Sequence, residues 1–100
     1  MLYDFSVTIA ATGVAQRVAT VRTPAAWVTF QPLLDATGAP VNTAPAAIGG
    51  SDVTLAKGFT MAPGDSAVAW PVSDINGYDL HEIWITGTIN NGFQGVYFTR

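Results

Sequence analysis

Tyr3-Asp4-Phe5-Ser6-Val7-Thr8-Ile9 is the stretch that decides the fold. Tyr3, Phe5, Val7 and Ile9 occupy every second position, with Asp4, Ser6 and Thr8 between them. Successive side chains of a strand point to opposite faces, so this period of two predicts a half-buried strand with one wet face. The alternation returns at residues 26–31, where Ala26, Val28 and Phe30 alternate with Trp27, Thr29 and Gln31. An aromatic on each side predicts a strand covered on both faces, by a second sheet or by another subunit. Between the two lies the turn signal Thr12-Gly13, then residues 14–22 with Val14, Val18 and Val21. Two β-rich runs around a glycine predict a hairpin, with Arg17 and Arg22 on its second strand facing solvent.

Working outward, Pro24 interrupts the chain and Pro32 closes the strand that begins at residue 26. Residues 33–47 are the least regular part, a long loop holding Gly38, Pro40 and Pro45. Leu33, Leu34 and Val41 make it apolar, which fits either a docking arm or a loop lying back on its own sheet. Short strands are expected at 46–53, running into Gly49-Gly50-Ser51-Asp52, and at Phe59-Thr60-Met61. Ala62-Pro63-Gly64-Asp65 reads as a type II turn, because Pro presets φ at its second position and Gly supplies positive φ at its third. Residues 66–70 follow as a strand stopped by Pro71, and 72–78 as a loop with Asn76-Gly77 at its tip.

Residues 79–89 are ambiguous. Leu80, Ile83 and Trp84 fit a helical stripe. A strand reading puts His81, Ile83 and Ile85 on one face and Leu80, Glu82 and Trp84 on the other. Residue type favours the strand, and Gly87 discourages a long helix. Asn90-Asn91-Gly92 then predicts a hairpin turn, and residues 93–100 the closing strand, Val96 and Phe98 opposite Tyr97 and Thr99. The sum is roughly seven to nine short strands with regular turn signals, which predicts an all-β, single-domain antiparallel β-sandwich, jelly-roll-like, over residues 1–100.

Composition narrows the function. The chain has 100 residues, no Cys and one His, His81. Disulfides, thiolate zinc sites, thiol nucleophiles and multi-histidine sites of a single chain are excluded. Charged residues are 11% against a usual ~25%. Four basic residues, Arg17, Arg22, Lys57 and Arg100, cannot build the positive face that nucleic acid or anionic lipid requires. No apolar stretch approaches the ~20 residues of a membrane helix. Met1 leads straight into Leu2-Tyr3-Asp4-Phe5 without a basic region or cleavage site, so synthesis in a cytoplasm without signal-directed export is expected. Twelve Thr and fifteen Ala stand where a free monomer carries charge. Such a surface suits a protein packed against neighbours, since interface cores are depleted of charge.

Candidate chemistry is sparse. Asp79-Leu80-His81-Glu82 is the densest ionisable cluster, and on a strand Asp79 and His81 would share a face. One His with one carboxylate falls short of a coordination set. Ser66, Asp65 and His81 lack the strand–turn–helix context of a nucleophile elbow. Gly49-Gly50 has no following helix and lysine for phosphate, and Gly49-Gly50-Ser51-Asp52 has too few carboxylates for calcium. Trp27, Trp70 and Trp84 could form a sugar-binding platform, or else serve core and interface.

The run Ile48-Gly49-Gly50-Ser51-Asp52-Val53-Thr54-Leu55-Ala56-Lys57-Gly58-Phe59-Thr60-Met61-Ala62-Pro63-Gly64-Asp65-Ser66 resembles a pattern in small structural proteins of tailed bacteriophages. Thr12-Gly13 with Ala15-Gln16-Arg17, and Ile83-Trp84-Ile85-Thr86-Gly87 before a last strand, are similar in style. The segment 33–47 departs from that pattern by being longer and richer in Pro. The resemblance implies an all-β virion module, such as a capsid decoration (cement) protein, a head-fibre base or a tail component. It supplies no catalytic residues. The expectation is therefore a non-enzymatic protein without cofactor or metal, assembled in the host cytoplasm into the virion, where it bridges subunits of the major capsid protein. Trp27, Leu33, Leu34, Val41 and Trp84 are the expected interface. A homo-oligomer follows from the apolar excess, a trimer first, because quasi-three-fold capsid positions invite it. A tail or head-fibre component, or a carbohydrate-binding β-sandwich module, are the alternatives.

Overall fold

The period-two segments become the long strands, and the glycines and prolines between them become crossings. The computed structural model describes residues 1–70 and 78–99. Among these, ten strands are β1 (Leu2–Thr8), β2 (Gln16–Arg17), β3 (Pro24–Ala25), β4 (Trp27–Pro32), β5 (Ala46–Gly49), β6 (Phe59–Met61), β7 (Val68–Trp70), β8 (Tyr78–Asp79), β9 (Trp84–Thr86) and β10 (Gly92–Phe98). The helical content of the described residues is one 3₁₀ turn, Leu80–Glu82. Two antiparallel sheets, β1-β10-β4-β7 and β2-β9-β5-β6, carry the sandwich, and β3-β8 forms a small third pair. With β3 and β8 set aside, the first strand pairs with the last, the second with the second-to-last, β4 with β7 and β5 with β6. This nested pairing split over two sheets is a jelly roll. The all-β sandwich expectation holds, and without the short pair β3-β8 the strands number eight, within the expected seven to nine.

The core lies between the sheets. Val28, Phe30 and Phe93 come from one side, and Ala46, Ile48, Met61 and Ile85 from the other. Phe30 meets Phe93 and Phe5 edge-on, at centroid distances of 6.4 and 5.5 Å, the geometry that aligns a positive ring edge with a negative face. Register fixes which residues look inward: Phe5 lies opposite Gly95, Val7 opposite Phe93, and Phe30 opposite Val68.

Several local expectations are corrected. The hairpin around Thr12-Gly13 does not exist. Gly13 does turn the chain, with φ 75°, but into the other sheet, where β2 pairs with β9. The Asn90-Asn91-Gly92 hairpin fails for the same reason: β9 and β10 belong to different sheets, so the turn, with Asn90 at φ 71°, is a crossing. The strand over residues 79–89 is broken by the 3₁₀ turn, because the Asp79 side chain accepts from the His81 amide and caps it. Arg17 does not face solvent: it is half-buried, lies 4.6 Å over the Trp84 ring and donates to the His81 carbonyl. Residues 46–53 form a strand only to Gly49. Val53 is buried beyond a turn, its amide bonded to the Gly50 carbonyl. The turn at Ala62-Pro63-Gly64-Asp65 is as read, with Gly64 at φ 79° and Asp65 N–H donating to Ala62 O at 3.1 Å. The stop at Pro71, the loop tip at Asn76-Gly77 and the end of the last strand at Arg100 lie outside the described residues.

Candidate functional site

Alternation and register together build one continuous outer face on the β1-β10-β4-β7 sheet. Leu2, Asp4 and Ser6 of β1, Phe98, Val96 and Gln94 of β10, and Trp27, Thr29 and Gln31 of β4 form its rows. At one end Leu2, Phe98 and Trp27 make an apolar shelf, where the Trp27 and Phe98 rings stack at 6.1 Å with planes 13° apart. At the other end Ser6, Gln94 and Gln31 are polar and uncharged. Between them the face sinks into an open groove floored by Gly95 and walled by Asp4, Ser6, Thr29 and Gln31. Gly95 belongs to the inward register with Phe5, and a Cβ there would stand 1.9 Å from the Thr29 carbonyl oxygen, so only glycine fits. There the Thr29 hydroxyl enters the ladder and accepts from Val96 N at 3.0 Å. Asp4 is the one charged side chain among the described residues of this face. The Trp27-Thr29-Gln31 side of β4 is thus open in the chain itself, not roofed by its second sheet.

The expected interface residues do not converge. Trp27 lies on the outer face just described. Trp84 is on the opposite sheet under Arg17. Leu33, Leu34 and Val41 are half-buried in the loop after β4. That loop is no extended arm. Leu34 bridges Pro40, Val41 N–H donates to Leu33 O at 2.9 Å, and Asp35 Oδ1 gathers the amides of Thr37 and Ala39. Buried Asn42 pins it to the sandwich through both groups of Gly92, accepting its N–H at 2.8 Å and donating to its carbonyl at 3.1 Å. The tryptophans do not form a sugar platform either: Trp70 packs inward on Phe30 and Tyr78, so Trp27 stands apart from Trp70 and Trp84.

The Asp79-Leu80-His81-Glu82 cluster is occupied by structure. Asp79 Oδ1 accepts from Thr23 N at 2.8 Å and His81 N at 3.0 Å, and Oδ2 lies 3.5 Å from Arg22 Nε. Burial pushes the Asp79 carboxyl up, but the two amides, Arg22 and His81 outweigh it and hold it below the usual carboxylate value. The His81 ring is spent on the Ala19 carbonyl, 3.2 Å from Nδ1. Among the described residues no three His, Cys, Asp or Glu side chains gather as metal ligands.

Alternation put Asp4 and Ser6 on a wet face, but Thr29 and Gln31 were expected to be covered, and the face that all four share with Val96, Phe98 and Gln94 was missed. The signal was present in the alternation. The strand order was not. Compared with models of protein families, with curated proteins and with solved structures, the chain matches none.

Proposed function

We propose that the chain is a contact module of a tailed-phage virion, a capsid decoration (cement) protein that bridges subunits of the major capsid protein and needs no catalysis or cofactor. The observation that carries this reading is the outer face of the β1-β10-β4-β7 sheet: wide, and bearing among the described residues one charge, Asp4, amid apolar, hydroxyl and amide side chains. Depletion of charge is the compositional mark of an interface core. The jelly roll is a frequent architecture of viral capsid and lectin domains, which supports the reading by analogy of fold alone. A bridging protein acts through many weak copies at once, so a modest contact per copy suffices. Association of the chain with its own copies belongs to the same proposal.

The groove gives a specific ground for a second reading, a carbohydrate-binding module. Gln31, Gln94, Ser6 and Asp4 line the groove with hydroxyl partners, and the aromatic shelf at the other end of the same face offers a stacking surface. Mass spectrometry of purified virions separates the two. A decoration protein is present in numbers comparable to the capsid protein, and its absence from virions overturns the proposal. A glycan array with the purified chain tests the second reading directly. Val96→Lys, which sets a charge in the middle of the face, should weaken co-sedimentation with capsids by about tenfold, because an unpaired charge is desolvated at the contact.

A further inference from the structure

Sheet edges in natural proteins are kept safe by short strands, lysines, prolines or bulges. Among the described residues three sandwich edges are short: β6 and β7 have three residues each and β2 has two. The fourth, β1, has seven, contains no Pro, Lys or Arg, and runs without a bulge from Leu2 opposite Phe98 to Thr8 opposite Gly92. Residues of an antiparallel strand alternate in bonding direction. Met1 O accepts from Thr99 N at 2.9 Å at one end, and Ile9 N donates to Asn91 O at 2.7 Å at the other. The odd-numbered residues therefore bond β10, and the backbone groups of Leu2, Asp4, Ser6 and Thr8 point outward. Gln16 fills the far end of this edge with its side-chain amide, donating to Thr8 O at 2.8 Å and accepting from Ala10 N at 2.9 Å. From Leu2 to Ser6 the outward groups meet no partner among the described residues.

We propose that this edge joins two copies of the chain, β1 to β1 antiparallel about a two-fold axis, fusing the two four-stranded sheets into one. The occupant follows from self-complementarity. A two-fold centred on Phe5 sets Asp4 opposite Ser6 of the second copy, where the hydroxyl donates to the carboxylate, and it does so twice by symmetry. On the other face it sets Tyr3 opposite Val7 and Phe5 opposite Phe5, aromatic pairs that stabilise adjoining strands. A two-fold centred on Asp4 would oppose two carboxylates. One centred on Ser6 would set Leu2 opposite Ala10 and Asp4 opposite Thr8, losing both the Ala10 amide and the Thr8 carbonyl that Gln16 holds, where the Phe5-centred register loses the Thr8 carbonyl alone. Charge, hydrogen bonding and apolar pairing thus select the same register. About six backbone hydrogen bonds close across it. Tyr3, 43% exposed, gains cover it lacks in the single chain. The symmetry is two-fold rather than the three-fold expected from capsid positions, because strands that pair antiparallel with themselves form a closed isologous contact. The inference gives the self-association part of the proposed function its contact and symmetry, and its test in purified chain does not depend on the capsid.

Sedimentation velocity of the purified chain from about 1 to about 100 µM covers the usual range of specific association. A concentration-dependent species of twice the chain mass is expected. Ser6→Asp, which opposes two carboxylates at each symmetric position, should weaken the dimer about tenfold. Ser6→Lys, at the same exposed site, should preserve or strengthen it. Because the native chain has no cysteine, Asp4→Cys and Ser6→Cys introduce the only thiols. Opposed hydrogen-bonded residues sit about 5.5 Å apart at Cα, within disulfide reach. Mixing the two variants should give a mixed disulfide dimer in excess of either alone. A monomer across the whole range, a trimer, or cross-linking of Asp4→Cys alone as efficiently as the mixture each overturns the proposal.

Discussion

Gly95 and Gly64 are required for different reasons, and single substitutions separate them. At Gly95 the limit is space: an added Cβ would stand 1.9 Å from Thr29 O and 3.1 Å from Phe5 Cε1, so strands β4 and β10 must part. Gly95→Ala should lower stability by about 2 kcal/mol, as overpacking typically does, read as a fall in the urea midpoint. At Gly64 the limit is conformation: φ is 79°, and the nearest atom to an added Cβ is Pro40 Cγ at 3.4 Å. Gly64→Val should cost at least ~1 kcal/mol, while Gly64→Asn, which tolerates the left-handed region, should cost clearly less. Equal midpoints for the Val and Asn variants would show that strain is not the cause. Asp79 sets the pH response of its corner. Its carboxyl, pushed up by burial but held down more strongly by the Thr23 and His81 amides and by Arg22, has a lowered pKa. The unfolded chain therefore binds the proton first as pH falls. The stabilisation is complete above the unfolded value and disappears as pH drops through it to the folded one. Stability should decline below about pH 4, and Asp79→Asn, whose Oδ1 can still accept both amides, should flatten that decline. An unchanged acid slope in the variant would remove Asp79 from the account.

The loop after β4 makes the same case at the level of an element. Its apolar residues left two readings open in the sequence, and the deciding residue was polar. Asn42 satisfies both groups of buried Gly92, and Asp35 closes the tip with its own amides. Asn42→Ala would leave the buried Gly92 N–H without its partner and its C=O with the Leu33 amide alone, a loss of about 2 kcal/mol. Thermal unfolding should report it as a fall in Tm of roughly 8–16 °C for a domain of this size. A shift below about 2 °C would mean that water replaces the amide at no cost. What the sequence made legible follows the same division. Local signals read well: alternation at Tyr3-Asp4-Phe5-Ser6-Val7 and at residues 26–31, and the glycine of the Pro63-Gly64 turn, are visible because each is decided within a few residues. Partners read badly. Thr12-Gly13 and Asn90-Asn91-Gly92 are true turns, but nothing in a turn says whether the chain returns beside itself or crosses to another sheet. The outer face escaped notice for that reason: its three rows are separated by most of the chain, and only the β1-β10-β4 order brings Ser6, Gln94 and Gln31 together.

For the whole molecule, the consequence of nested pairing is kinetic. β1 is the first strand and β10 the last, with Leu2 opposite Phe98, and β10 is also the partner of β4. The centre of the β1-β10-β4-β7 sheet joins residues 92–98 to 27–32, and its β1 edge forms only when the two ends of the chain have met. Closing a loop of that length costs conformational entropy before any ladder contact offsets it. No helix supplies early local structure, since the described residues hold a single 3₁₀ turn. Domains dominated by such distant pairings fold in milliseconds to seconds, whereas helical bundles of similar size fold in microseconds to milliseconds. Stopped-flow refolding from urea, followed by the fluorescence of Trp27, Trp70 and Trp84, should therefore show its main phase in the millisecond-to-second range. Phe93→Leu gives the internal control, because Phe93 lies opposite both Val7 and Pro32 and so belongs to both ladders. If the joining of the two ends limits the rate, this substitution slows folding, whereas Met61→Leu on β6, beside its near neighbour β5, mainly speeds unfolding. A main phase faster than about 0.1 ms, or a slowing by Met61→Leu and not by Phe93→Leu, would place the rate-limiting contact elsewhere in the sandwich.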